Sequence, residues 1–72
     1  MQEINVEIEG EYIELYKLLK WAGIAENGAI AKALVDSKTV YLNGKIEFRK
    51  RKKIYPNDKV IFQDFILNIS SK

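Results

Sequence analysis

Residues 3–9 alternate Ile4, Val6 and Ile8 with Asn5, Glu7 and Glu9, and the pattern stops at Gly10. A period of two sends successive side chains to opposite faces, so this segment is expected to be a strand with one buried face. From Tyr12 the period changes. Tyr12, Leu15, Tyr16, Leu19 and Ala22 recur at helical spacing, with Glu11 and Glu14 near the positive end of the helix dipole and Lys17 and Lys20 toward the other. This helix is expected to end near Gly23. Asn27 is a candidate N-cap for a second helix with an apolar stripe of Ile30, Ala31, Leu34 and Val35, which leaves Lys32 and Asp36 on the outer side. Two short helices joined by so few residues must pack closely.

Thr39–Leu42 and Lys45–Phe48 flank Asn43-Gly44, the strongest short-range hairpin signal. Val40 and Leu42 are expected to cover the helices, and Tyr41 and Ile46 to face outward. Pro56-Asn57-Asp58 marks a second turn, because proline presets the first central position and asparagine tolerates positive φ at the next. Val60–Phe62 and Phe65–Ile69 are β-rich, with Gln63-Asp64 as either a tight turn or a bend between them. The implied class is α+β: two short packed helices against a small, mainly antiparallel sheet that contains the Asn-Gly hairpin. With no repeat, low-complexity tract or linker, residues 1–72 read as a single domain.

Composition narrows the chemistry. The chain has no Cys and no His, which removes disulfides, thiolate nucleophiles, the usual zinc ligands and the commonest general base. The carboxylates left for acid–base work lie mostly at Glu3, Glu7, Glu9, Glu11 and Glu14, where their alternation reads as the solvated face of a strand. No catalytic, metal or cofactor site, and no small-molecule substrate, is therefore expected. An apolar fraction of 47% argues for a folded chain. No apolar run reaches the roughly 18 residues that span a bilayer, and the acidic start lacks the features of a secretory signal, so the default location is the cytoplasm.

Charge is distributed unevenly. Residues 1–14 carry five Glu and no cation, a net −5, which within a total of +2 leaves +7 on residues 15–72. Arg49-Lys50-Arg51-Lys52-Lys53 concentrates five cations directly after the hairpin, which points to a polyanionic partner. In a regular strand Arg49, Arg51 and Lys53 would face away from Lys50 and Lys52, so the whole run can share one face only if the segment bends.

The order of these motifs resembles the RNA-binding domain named after ribosomal protein S4. The residues that carry the resemblance are Leu15–Leu19 in the first helix, Ala31-Lys32 with Leu34-Val35 in the second, Val40-Tyr41-Leu42-Asn43-Gly44, and Asn57-Asp58 followed by Val60. Within the family the chain is similar to the small stand-alone bacterial branch of YaaA/YbcJ type, through Leu18-Leu19-Lys20, Ala22-Gly23, Gly28, Ala31-Lys32 and Glu47-Phe48-Arg49-Lys50-Arg51. The resemblance covers residues 12–62. It implies an S4-like domain with the αL motif, in which two helices and the adjoining hairpin form a basic groove for structured RNA, in a ribosome-associated binding protein that acts on ribosomal or tRNA-like RNA.

Three positions depart from the family pattern. Where the family has a cation near the start of helix one and an Arg at the start of helix two, this chain has Glu14 and Gly28. Lys38 replaces the Gly usual between helix two and the hairpin, at a cost on the order of 1 kcal/mol if it must be left-handed.

The candidate RNA contacts are Lys32, Arg49, Lys50, Arg51 and Lys53, with Lys20, Asn27, Gly28, Lys45 and Lys52 as secondary candidates. Lys32 is either a phosphate contact or a solvated residue paired with Asp36 at i+4. Asn27, Gly28 and Ala29 open the second helix, where free N–H groups suit a phosphate oxygen. Trp21, Tyr41 and Tyr55 are either base-stacking platforms or packing residues. The competing reading is a protein-interaction module, in which the basic ridge meets an acidic partner or the strand at Glu3–Glu11 offers an exposed edge.

Overall fold

Alternation at the amino terminus produces β1 (Gln2–Ile8), with Val6 and Ile8 buried and Glu3, Asn5 and Glu7 exposed. The computed structural model describes every residue from Met1 to Lys72. The elements that follow are β2 (Ile13–Glu14), α1 (Leu15–Trp21), α2 (Gly28–Asp36), β3 (Val40–Leu42), β4 (Lys45–Ile46), β5 (Lys53–Ile54), β6 (Lys59–Phe62) and β7 (Phe65–Ser71). Five strands form one sheet in the order β1-β7-β6-β3-β4, and β2 pairs with β5 in a separate two-stranded ribbon. The α+β expectation of two helices on a mainly antiparallel sheet is met. The exception is β1, which lies parallel to β7 with Val6 opposite Ile69.

The helices and the inner sheet face close over Leu15, Leu18, Leu19, Ala31, Val35, Val40, Ile54, Val60 and Leu67, all fully buried. Val40 faces the core, while Tyr41 and Ile46 pair across the hairpin on the outer face, as the alternation predicts. The hairpin turn places Asn43 at φ 50 and Gly44 at φ 88, the pair of positive angles that a two-residue turn of this hand requires. Asn43 also fastens the turn to β6: its side-chain oxygen accepts from the Lys59 N–H at 2.9 Å, and its amide donates to Asp58 at 3.1 Å. Asn57 takes φ 76 after Pro56, and the Asp58 N–H closes that turn on the Tyr55 carbonyl. Gln63-Asp64 is a tight turn, since Phe62 and Phe65 are direct partners.

Four details differ from the sequence reading. The first helix begins at Leu15, not Tyr12, because Ile13 and Glu14 are drawn into an extended pairing with Ile54 and Lys53. Regular pairing in the second hairpin strand ends at Ile46, where the expected strand ran to Phe48. Ile30 lies outside the buried stripe of α2 and is exposed, so Ala31, Leu34 and Val35 carry the packing. Asp36 pairs with Lys50 at 3.1 Å, not with Lys32.

Both helices end in the same left-handed manner. After α1, Gly23 (φ 79) donates to the Lys20 carbonyl and Ile24 to the Leu19 carbonyl, the double closure of a Schellman end. After α2, Lys38 takes the equivalent place at φ 61 and donates to the Val35 carbonyl. A side chain at that angle crowds the neighbouring carbonyl, a strain that glycine lacks.

The one buried charged residue is Glu47, just beyond β4. Its N–H continues the hairpin ladder to the Val40 carbonyl, so its carboxylate occupies a core-side position. Arg49 satisfies it three times: Nε to Oε2 at 2.9 Å, Nη2 to Oε1 at 3.2 Å, and the backbone N–H to Oε2 at 3.1 Å. The Arg49 guanidinium hydrogen bonds outweigh the opposing effect of burial and hold the Glu47 carboxyl below its ordinary range.

Two stability predictions follow from these positions. Lys38→Gly is expected to raise the unfolding free energy by about 1 kcal/mol, read as a higher urea midpoint at unchanged slope. Because the folded-state pKa of Glu47 is depressed, its contribution is complete above the unfolded-state value and is lost as pH falls through the folded one. The stability difference between the wild type and Glu47→Gln should therefore be largest at neutral pH and shrink below about pH 4, in denaturant titrations across an acid series.

Candidate nucleic-acid interface

The basic run is bent rather than extended. The Lys52 N–H donates to the Arg49 carbonyl at 3.1 Å, which makes Arg49–Lys52 a turn, and only Lys53 enters a strand. This turn docks on the start of α1. Glu14, the residue before the helix, supplies no side-chain cap. Instead the Leu15 N–H donates to the Lys52 carbonyl at 2.9 Å and the Tyr16 N–H to the Lys50 carbonyl at 3.0 Å. Main-chain atoms of the cationic segment thus satisfy the helix end, and its side chains are displayed around it.

Tyr16 lies at the centre of the resulting cluster. Lys32 Nζ lies 4.8 Å from its ring centre, Arg51 5.6 Å and Lys17 6.0 Å, so α1, α2 and the basic turn each direct a cation at one aromatic ring. Glu14, directly before α1, pairs with two of these cations, Lys17 at 3.2 Å and Arg51 at 3.7 Å. The departure from the family pattern at Glu14 therefore has a local role: the carboxylate gathers cations from two segments. Lys50 bridges to Asp36 at the far end of α2.

An open groove runs beside this cluster, lined by Ile13, Tyr16, Lys17, Lys20, Trp21 and Gly28. Asn27 caps α2 as expected, its side chain accepting from the Ile30 N–H at 2.9 Å. The N–H groups of Gly28 and Ala29 have no acceptor within the chain, and Gly28 forms part of the groove wall. A Cβ on Gly28 would meet the Tyr16 ring at 3.7 Å, an ordinary contact, so packing within the chain does not demand glycine there.

Of the candidate residues, Lys32, Lys50 and Arg51 converge on the two helices, Lys20 and Gly28 line the same groove, and Asn27 caps α2 next to Gly28. Arg49 is turned back onto Glu47, whose carboxylate raises the Arg49 pKa. Lys53 lies over the Tyr12 ring at 4.9 Å, Lys52 is half-buried, and Lys45 is exposed on the hairpin without an ion pair. Tyr16 and Lys17 are the residues that sequence reasoning missed as site members. Tyr16 was legible only as part of the helix stripe, although tyrosine in such a stripe brings a polar end to the rim. Among the stacking candidates, Trp21 is 70% exposed, Tyr41 40% and Tyr55 45%, so none of them is core. No group of acidic residues is arranged to hold a metal ion, and no helix is long and apolar enough to cross a membrane.

Comparison with the curated proteins finds no match. Among solved structures, the chain is similar to YbcJ from E. coli, described as having an αL motif involved in RNA-binding, at 31% identity and a TM-score of 0.68, over 97% of this chain and 87% of that one. The S4 domain family model matches residues 6–70. That match takes in the end of β1, both helices, the hairpin and the closing strands up to residue 70, and the chain belongs to the S4 domain family.

Proposed function

We propose that this protein binds structured RNA without catalysing a reaction on it, and that the phosphate backbone follows the groove between α1 and the start of α2. The observation that carries the reading is the convergence of Lys17, Lys32 and Arg51 on Tyr16, beside the unpaired N–H groups of Gly28 and Ala29. Cations held at fixed spacing on rigid elements suit phosphates at fixed spacing, and such contacts position a protein while RNA shape supplies selectivity. Membership of the S4 family and the RNA-binding motif of YbcJ support the same reading. Lys50 and Lys20 extend the footprint at either end, and Arg49, Lys52, Lys53 and Lys45 lie at its margin as longer-range electrostatic contributions. The proposed ligand class is ribosomal or tRNA-like RNA, met in the cytoplasm on a ribosomal subunit, in keeping with the small basic domain.

The paired carboxylates temper the salt response. With Glu14 and Asp36 already holding Lys17, Arg51 and Lys50, RNA phosphates replace intramolecular partners as well as counterions. Four phosphate contacts would give a log–log dependence of affinity on salt with slope of roughly −3. Lys32→Ala and Arg51→Ala should each weaken binding and reduce that slope by about 0.7, in titrations of ribosomal RNA, folded transfer RNA and duplex DNA. Gly28→Ala should lower RNA affinity by filling the groove wall while leaving unfolding free energy no lower. A flat salt response, or capture of protein partners that survives complete nuclease digestion, would instead favour the protein-interaction reading.

A further inference from the structure

A second cleft lies on the other side of Trp21 and has the opposite electrostatic character. Glu7, Glu9, Tyr12, Ile13, Trp21 and Lys72 line it, with a volume of about 500 Å³. Trp21, 70% exposed, and Ile13 form the wall shared by this cleft and the basic groove. We propose that the cleft is a docking site for an arginine-bearing segment of a partner protein.

Each half of the site already binds a cation from the chain itself. Lys72 Nζ lies 3.0 Å from Glu9 Oε1, and Lys53 Nζ lies 4.9 Å from the centre of the Tyr12 ring. Glu7 forms no ion pair and no side-chain hydrogen bond, which leaves one carboxylate of the cleft available. An exposed indole next to carboxylates fits a guanidinium better than an ammonium, because the planar group stacks on the ring while its fork of N–H donors reaches the oxygens. The same carboxylates repel phosphate, so the cleft disfavours RNA even though Trp21 alone could stack a base. The inference does not rest on the RNA reading, since it uses the acidic side of the molecule and none of the cations around Tyr16, and the two sites share only the wall of Trp21 and Ile13.

Trp21 is the only tryptophan, so its fluorescence reports on the cleft without labelling. The test titrates the full chain with a short arginine–glycine peptide capped at both ends, with its citrulline counterpart, with spermidine and with RNA, following Trp21 emission and backbone amide shifts. The arginine peptide should give a saturable Trp21 response with shifts at Glu7 and Glu9, and the citrulline peptide should give none. The double variant Glu7→Gln/Glu9→Gln, which alters only exposed side chains, should bind the arginine peptide about fivefold to tenfold more weakly and bind RNA as the wild type does. Equal responses to the two peptides, equal competition by spermidine, or shifts spread over Glu3, Glu11 and Asp64 with Trp21 unmoved would overturn the proposal. RNA bound in the basic groove should perturb Trp21 emission without shifting Glu7 and Glu9, and RNA-induced shifts at Glu7 and Glu9 would overturn the proposal by placing RNA in the cleft.

Discussion

Two main-chain hydrogen bonds hold the functional side of this molecule together: those from the Leu15 and Tyr16 N–H groups to the Lys52 and Lys50 carbonyls. Helix α1 has only seven residues and no side-chain cap, so on its own it would be a marginal helix. The basic turn supplies what the helix lacks, and the helix in turn fixes a segment of consecutive cations that would otherwise repel one another and spread. Because the bonds use backbone atoms, the side-chain chemistry of the turn is left free for other partners. The neighbouring β2–β5 pairing, Glu14 with Lys53 and Ile13 with Ile54, seals the same junction and explains why the chain is extended just before the helix begins.

Electrostatics around that junction are organised by carboxylates. Glu14 faces Lys17 and Arg51, Asp36 faces Lys50, and Glu47 faces Arg49. These are different kinds of pair. The first two are largely solvated and individually worth little, so they orient long side chains more than they stabilise the fold. The Glu47 pair is buried on the carboxylate side and fully hydrogen-bonded, so removing its arginine would leave a charge without compensation. Arg49 therefore has a structural duty that its neighbours in the run do not.

Much of the fold was legible because local signals agreed with one another. Asn43-Gly44, Pro56-Asn57, Gly23 and the Asn27 cap all adopt the conformations their residue types favour, and the alternation at Ile4, Val6 and Ile8 identified β1. What the residues could not state was long-range. Nothing in β1 says that it lies parallel to β7, since that pairing joins the two ends of the chain. The start of α1 was misplaced because the competing pairing comes from Ile54, some forty residues away in sequence. The site shows the same limit. The cationic run was visible as composition, but the selection of Arg51 over Arg49 for the Tyr16 cluster depends on Glu47 being buried, and a glutamate after an apolar hairpin carries no sign of burial.

The position of Glu47 also bears on how these molecules behave toward one another. Strand β4 is the last in the sheet, beyond β3, and its outer backbone groups form a template on which a strand from a second molecule could assemble. That template is only two residues long, and directly after it the chain turns a carboxylate inward and then folds away into the basic turn. A foreign strand that tried to extend along this side would have to displace Arg49 and strand a charge in a dry environment. The feature that distinguishes Arg49 from the other cations thus also blunts the β4 edge of the sheet against strand addition.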